Sequence, residues 1–180
     1  MSRVVLRSLE LADAPALTAY RNHPDVARYQ GWRLPYSLEE AEALISAMRN
    51  RVPGQEGWTQ LALADALSGE LLGDFAVRGE GEQAEIGVTL APQAQGRGLA
   101  LEGLCRLLAQ LFGSPGLRRV YASIDPRNRR AASLLSRAGF RHEGTTLASY
   151  LHRGQWTDEA TYALLAHEWS AHHTQENPSP

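Results

Sequence analysis

Three runs in the middle of the chain constrain its fold more than any other feature. Trp58 to Ala64, Leu71 to Val77 and Ala84 to Leu90 are short and either apolar or alternating. Asp65-Ala66-Leu67-Ser68-Gly69-Glu70 separates the first pair, and Arg78-Gly79-Glu80-Gly81-Glu82 the second. Parallel neighbours need a crossover of a dozen or more residues, usually a helix, and neither connection has room for one. The three runs therefore read as an antiparallel meander, and the rest of the chain has to pack against it.

The flanks alternate between strand and helix. Val4 to Leu9 reads as a first strand. Asp13 offers a helix cap, Pro15 suits a first turn, and Leu17 and Tyr20 follow before Pro24 breaks the pattern. Ser37 and Glu40 form a capping-box pair ahead of Ala41, Leu44, Ile45 and Met48 at helical spacing, and this helix ends before Pro53-Gly54. After the meander, Gly98 to Phe112 reads as a helix with Leu101, Leu104, Leu108 and Leu111 on one face. A strand over Arg118 to Ile124 and a helix over Arg129 to Arg137 come next. Arg141 to Leu151 and Trp156 to Ala166 form a closing hairpin, turned near Arg153-Gly154. The expected fold class is α/β: a mixed central sheet of about seven strands with helices on both faces.

A chain of 180 residues suits one domain, expected over residues 1–170, with a flexible polar tail over 171–180. His172 and His173 are adjacent there but lack partners at ligand spacing, so no metal is expected. The formal charge of −2, with both signs spread along the chain, argues against direct nucleic-acid binding but allows a local basic patch for a phosphorylated cofactor. The single Cys105 rules out an intrachain disulfide and suits a reducing compartment. The apolar start Val4-Val5-Leu6 is too short for a signal peptide, and no segment has the length of a membrane span. A cytoplasmic protein is expected, with no membrane partner; a homodimer is compatible with the sequence.

The segment richest in chemical information is Glu85-Ile86-Gly87-Val88-Thr89-Leu90-Ala91-Pro92-Gln93-Ala94-Gln95-Gly96-Arg97-Gly98-Leu99-Ala100. A strand ends, a turn with two glycines follows, and a long helix opens at once. The first N–H groups of a helix lack internal partners and carry the positive end of its dipole. Gly96 and Gly98 permit unusual dihedrals and close approach of a ligand, and Arg97 adds a positive charge. No Lys-Ser or Lys-Thr follows, so this is not a Walker A loop. Lying after three strands rather than in an opening βαβ unit, it is also a poor dinucleotide fingerprint. Taken alone, the turn fits a plain strand-to-helix connection as well as it fits a phosphate cradle.

The segment resembles the acetyl-CoA signature of the GNAT superfamily: Gln or Arg, two residues, Gly, one residue, then Gly or Ala. Gln95, Gly98 and Ala100 fit it, and Gln93, Gly96 and Gly98 fit it a second time. The resemblance implies a GNAT fold with acetyl-CoA as co-substrate and no metal. Val88, Thr89 and Leu90 would then lend backbone groups to the pantetheine arm, and the N–H groups of Gly96, Arg97, Gly98, Leu99, Ala100 and Leu101 would hold the pyrophosphate. Asp125-Pro126-Arg127-Asn128, leading to Ala138-Gly139-Phe140, resembles the second cofactor motif, with Asn128 at the position of the family's cofactor-contacting Asn. Arg21-Asn22-His23-Pro24-Asp25-Val26, Ser37-Leu38-Glu39-Glu40-Ala41 and Asp158-Glu159-Ala160-Thr161-Tyr162 with Glu168-Trp169 resemble the RimJ/RimL branch, which acetylates protein α-amines. The acceptor so implied is a protein or peptide N-terminus. The alternatives are a small-molecule amine (amino acid, polyamine or antibiotic) or a non-catalytic acyl-CoA-binding role.

In the family reaction a neutral amine attacks the thioester directly, so Cys105 is not needed as a nucleophile and reads as packing. A carboxylate is expected to take the amine's proton. Glu85, at the start of the strand feeding the turn, is the candidate base; a surface Glu beside Glu80 and Glu82 is its plain alternative. Asp158 and His152 are weaker candidates. Val88 N–H is the expected oxyanion donor. Leu135 occupies the position of the Tyr acid of many family members, Ala131 that of a branch Ser, and Ser123 that of another base. Ser133 is the nearest hydroxyl for the leaving thiolate. Trp32 and Tyr36 are the candidate acceptor-lining aromatics, with ordinary packing as the competing reading.

Overall fold

The computed structural model of the chain describes residues 2–175, with side chains through Ser170. Seven strands form one sheet: β1 (Val4–Ser8), β2 (Gly57–Asp65), β3 (Leu71–Glu80), β4 (Gln83–Leu90), β5 (Arg119–Ile124), β6 (Arg141–His152) and β7 (Gln155–Leu165). Their spatial order is β1-β2-β3-β4-β5-β7-β6, and every neighbouring pair is antiparallel except β4 and β5. The mixed sheet and the antiparallel meander are as the sequence implied.

The helices are α1 (Ala14–Asn22), α2 (Pro24–Ala27), α3 (Leu38–Ala47), α4 (Leu99–Phe112), α5 (Arg129–Arg137) and α6 (Ala166–Gln175). Helix α3 starts with the expected capping box: Glu40 N–H donates to Ser37 Oγ at 3.1 Å, and Ser37 N–H to the Glu40 carboxylate at 2.7 Å. Asp13 does not cap α1 with its side chain. Its carboxylate instead takes the Arg7 guanidinium at 2.7 and 2.8 Å and the Glu10 N–H at 2.8 Å. Pro24 both interrupts α1 and opens α2 as its first residue, where a missing N–H costs nothing. Helix α6 runs through Gln175 into the segment expected to be a tail, and residues 176–180 lie outside the described residues. Among the described residues, no helix is long and apolar enough to cross a membrane.

Both faces of the sheet are covered, and the period of two along each strand decides which side chain goes where. On β2, Leu61 and Leu63 join the cluster beneath α4, with Leu104, Leu107, Leu108 and Leu111, while Ala62 between them joins Leu17, Tyr20 and Ile45 under α1 and α3. Cys105 packs against the α4 cluster.

The pairing of β4 sets up everything that follows. Strand β4 keeps its β3 partner along its whole length, from Glu80↔Gln83 to Gly73↔Leu90. With β5 it pairs only from Gln83↔Arg119 to Glu85↔Tyr121, and β5 continues with β7 as far as Ile124↔Ala160. Beyond Glu85 the two central strands part, which opens a cleft in the sheet. The β3 side of this stretch is held by close backbone contact: a Cβ added at Gly73 would lie 2.2 Å from Thr89 O and 3.0 Å from Leu90 Cα. Gly73→Ala should therefore lower stability by about 1–3 kcal/mol, read as a drop in the urea midpoint; an unchanged midpoint would mean that β3 and β4 can slide apart at no cost.

Candidate active site

The cleft has two lobes that meet at Val88 and Thr89 on β4 and at Asn128, Ala131 and Leu134 around the start of α5. In a strand, the N–H and C=O of one residue point to the same edge. The Val88 carbonyl faces the cleft, where Gln30 Nε2 donates to it at 3.4 Å, so the Val88 N–H faces the cleft as well. The backbone of β4 beyond Glu85 is thus offered to whatever enters.

The larger lobe, a cavity of ≈ 1070 Å³, runs from Leu90 past the turn to the open end of α4. Gly96 and Gly98 have φ of +73° and +77°, left-handed values that favour glycine. Gly98 is the N-cap residue of α4, so the N–H groups of the first helical turn lack internal acceptors and present the positive end of the dipole. Five arginines (Arg28, Arg127, Arg129, Arg130 and Arg137) line this lobe against a single acid, Asp25. The arrangement suits a polyanionic ligand such as a pyrophosphate.

Two expected contacts in this lobe are arranged differently. Gln95 uses its side chain within the protein: Nε2 donates to Leu90 O at 3.1 Å, and Oε1 accepts from Arg130 Nη1 at 2.7 Å, spanning the mouth of the cleft. Arg97 does not line the lobe; its carbonyl accepts from Arg3 Nη1 at 3.0 Å. Leu99, buried in the core, lines the lobe together with Ala100 and Leu101. Asn128 Oδ1 caps α5 by accepting from Ala131 N–H at 3.1 Å, and the residue lines both lobes.

The smaller lobe, ≈ 480 Å³, has the opposite character. Asp74, Glu85, Asp125, Asp158 and Glu159 line it against one arginine, Arg21, together with His152 and the rings of Tyr29, Trp32, Trp58 and Tyr150. Asp74 is buried in its floor and accepts from Tyr20 Oη at 2.5 Å, Gln60 Nε2 at 2.6 Å and Arg21 Nη2 at 3.4 Å. Burial, then the charge of Asp74, raises the Tyr20 hydroxyl well above its ordinary value, so it remains a donor. The Arg21 guanidinium lies 4.6 Å from the Trp32 ring centre and 4.9 Å from that of Tyr36. Glu85 is half-buried and paired with Arg78 Nη2 at 2.6 Å. Burial raises the Glu85 carboxyl above its ordinary value; Arg78 opposes this, and Glu80 and Glu159 add to it.

The structure brings Glu85, Asp158, His152, Ser123 and Leu135 together in the smaller lobe. It does not bring Ser133 to Glu85, because Ser133 is exposed on α5 and lines the larger lobe only. Trp32 lines the acceptor side and donates its indole N–H to Arg21 O at 3.0 Å. Tyr36 does not: it is buried behind Arg21 in the α1–α3 core. Asp74, Gln60, Arg21, Trp58 and Tyr150 were missed as site residues. Asp74 and Gln60 carried a signal, being polar residues inside otherwise apolar strand runs. Among the described residues, no group of three or more His, Cys, Asp or Glu is placed to hold a metal ion.

Comparison with known proteins agrees with this geometry. A family model described as an acetyltransferase (GNAT) domain matches residues 3–141. An uncharacterized N-acetyltransferase, p20 of Bacillus licheniformis, is 27% identical over 172 residues, covering 93% of this chain and 96% of that protein. The spermidine N(1)-acetyltransferase of Escherichia coli K12 is 24% identical over 171 residues, covering 94% and 90%. The fold matches the crystal structure of a spermidine N-acetyltransferase from Vibrio cholerae in complex with CoA and spermine, with a TM-score of 0.80 at 24% identity over 94% of this chain and 99% of that one. If the larger lobe is the phosphate cradle, Gly96→Val and Gly98→Val should each weaken acetyl-CoA binding about tenfold or more in calorimetric titration, since a β-branched residue disfavours these φ values by over 1 kcal/mol. Unchanged affinity would make the turn purely structural.

Proposed function

From the premise that the chain belongs to the GNAT acetyltransferase family and is an acetyl-CoA-dependent N-acetyltransferase of primary amines, we propose that its acceptor is a small cationic amine of the polyamine type. The observation that carries this reading is the opposite charge of the two lobes. The larger, arginine-rich lobe suits the phosphates of acetyl-CoA, and the smaller suits a cation through its carboxylates and aromatic faces. The names of the Escherichia coli and Vibrio cholerae relatives support the same acceptor class. A protein N-terminal α-amine, implied by the RimJ/RimL-like residues, is the second reading.

In this account Val88, Thr89 and Leu90 bind the pantetheine arm along the free β4 edge, and the start of α4 binds the pyrophosphate, with Asn128 at the junction. The acceptor enters beside Trp32, and its ammonium gives a proton to Glu85, directly or through water. The neutral nitrogen attacks the thioester carbon. The C–N bond forms and the oxyanion is held by Val88 N–H. The C–S bond then breaks, the acylated nitrogen gives up its second proton to water, and the sulfur takes one. Ser133 opens on the larger lobe only, whereas Tyr29 and Thr89 carry hydroxyls and line both lobes, so we assign that last proton to a water at this junction, within the reach of those hydroxyls.

Four measurements test this reading. Steady-state rates with spermidine, spermine and putrescine should exceed those with N-terminal peptides; the reverse order would restore the α-amine acceptor. Glu85→Gln should lower kcat/KM about 10²–10⁴-fold. In the unmutated protein, activity should fall as the pH drops through the raised Glu85 pKa, because only the carboxylate can accept the proton. Ser133→Ala should leave kcat within about twofold, and a loss of about 100-fold or more would make Ser133 the acid.

A further inference from the structure

Four side chains stand in a row across the sheet, on one face. Trp58 pairs in register with Arg78, Arg78 with Glu85, and Glu85 with Tyr121. Glu85↔Tyr121 is also the last pair that β4 and β5 share before they part, so the row ends where the cleft begins. Arg78 lines neither lobe, yet it sits between the groups that do. Its Nη2 lies 2.6 Å from Glu85 Oε2, 3.0 Å from Glu80 Oε1 and 3.4 Å from Tyr121 Oη. Tyr121 in turn donates to Glu80 Oε2 at 3.0 Å. The Trp58 ring centre is 5.3 Å from the guanidinium carbon, so the indole covers the cation from the β2 side.

We propose that Arg78 is a positioning residue for the reaction: it fixes the Glu85 carboxylate, ionised and aimed, at the edge of the acceptor lobe, with Glu80, Tyr121 and Trp58 holding the guanidinium in place. This rests on Glu85 being the base. The argument has a geometric and an electrostatic part. Geometrically, one guanidinium nitrogen is shared by two carboxylates and packed beneath a ring, so it has little freedom, and the Glu85 carboxylate bonded to it inherits that order. Electrostatically, the charged and titratable groups facing Glu85 are Arg78 and Glu80 from β3, Tyr121 from β5 and Glu159 from β7. Two of these are carboxylates, and burial adds to their effect in favouring the protonated form. Arg78 is the cation that opposes them.

The test is the pH dependence of kcat/KM with spermidine for the full chain and for Arg78→Met, Arg78→Lys and Glu85→Gln. Removing an opposite charge at this range raises a carboxyl pKa by about 1 unit or more. Loss of activity on acidification should therefore begin about 1 unit higher in Arg78→Met, with a lower rate at pH 7. Arg78→Lys, which keeps the charge but not the planar guanidinium packed beneath Trp58 and shared through Nη2 between Glu85 and Glu80, should bring the acid limb back toward its original position while leaving kcat reduced. Acetyl-CoA titrations should be unchanged in all variants, which controls for folding. An acid limb in Arg78→Met that superimposes on that of the unmutated protein, while Glu85→Gln abolishes the limb, overturns the role of Arg78 alone. A Glu85→Gln variant with the original rate and profile removes the base assignment, and the role of Arg78 with it.

Discussion

The site depends on a sheet edge created inside the sheet. Buried backbone polar groups must find partners, and a central strand ordinarily finds them on both sides. Here β4 has β3 on one side throughout but β5 only up to Glu85. The stretch from Ile86 to Leu90 therefore has one satisfied edge and one on offer, and the Val88 carbonyl accepts a long hydrogen bond from Gln30. A ligand with amide groups of its own can complete such an edge as an added strand would. The parallel pairing and the opening share one origin: β4 and β5 are joined by α4, whose start sits at the mouth of the gap and adds its unpaired N–H groups to the same cleft.

Charge then divides the cleft. The chain as a whole is close to neutral, at −2, yet the larger lobe is lined by arginines from the α2 end, α5 and the loop before α5, and the smaller lobe by acids from β3, β4, β7 and the loop after β5. Such a division orients two ligands of opposite sign without a moving part, because each is repelled from the other's lobe. It also explains why net charge was a poor guide. A value near zero argues against a nucleic-acid stripe but does not reveal two fields that cancel in the sum.

Local signals were legible and long-range ones were not. The Ser37–Glu40 capping box, the meander and the glycine turn are decided within a few residues, and the structure has them where the sequence placed them. The glycine turn is legible because its left-handed φ values and the helix start are written in consecutive residues. The direction of individual side chains was not. Arg97 stands between two cleft-forming glycines yet does not line the cleft, its carbonyl accepting from Arg3, and Tyr36 lies four residues from Trp32 yet falls into the core on the far side of Arg21. Asp13 had the identity and position of a cap, but Arg7, six residues upstream, offers two bonds to its carboxylate. In each case a partner distant in space outweighs the local pattern.

The acceptor lobe shows the same competition at its floor. Asp74 is nearly inaccessible and gathers Tyr20, Arg21 and Gln60 from two different elements, α1 and β2. A buried ion pair of this sort is a weak source of net stability, because desolvation offsets most of the attraction, and losing one partner strands the other charge. Its stronger effect is on placement. Arg21 is held by Asp74 at one end and lies between Trp32 and Tyr36, and its carbonyl receives the Trp32 indole N–H. The wall aromatic is therefore located by a chain of contacts that begins on β3. Gln60, bonded to the same carboxylate, sets the floor beside it. A loop residue such as Trp32 has no ladder to fix it. In this fold the buried carboxylate does that work, so acceptor shape and helix packing are coupled through one side chain.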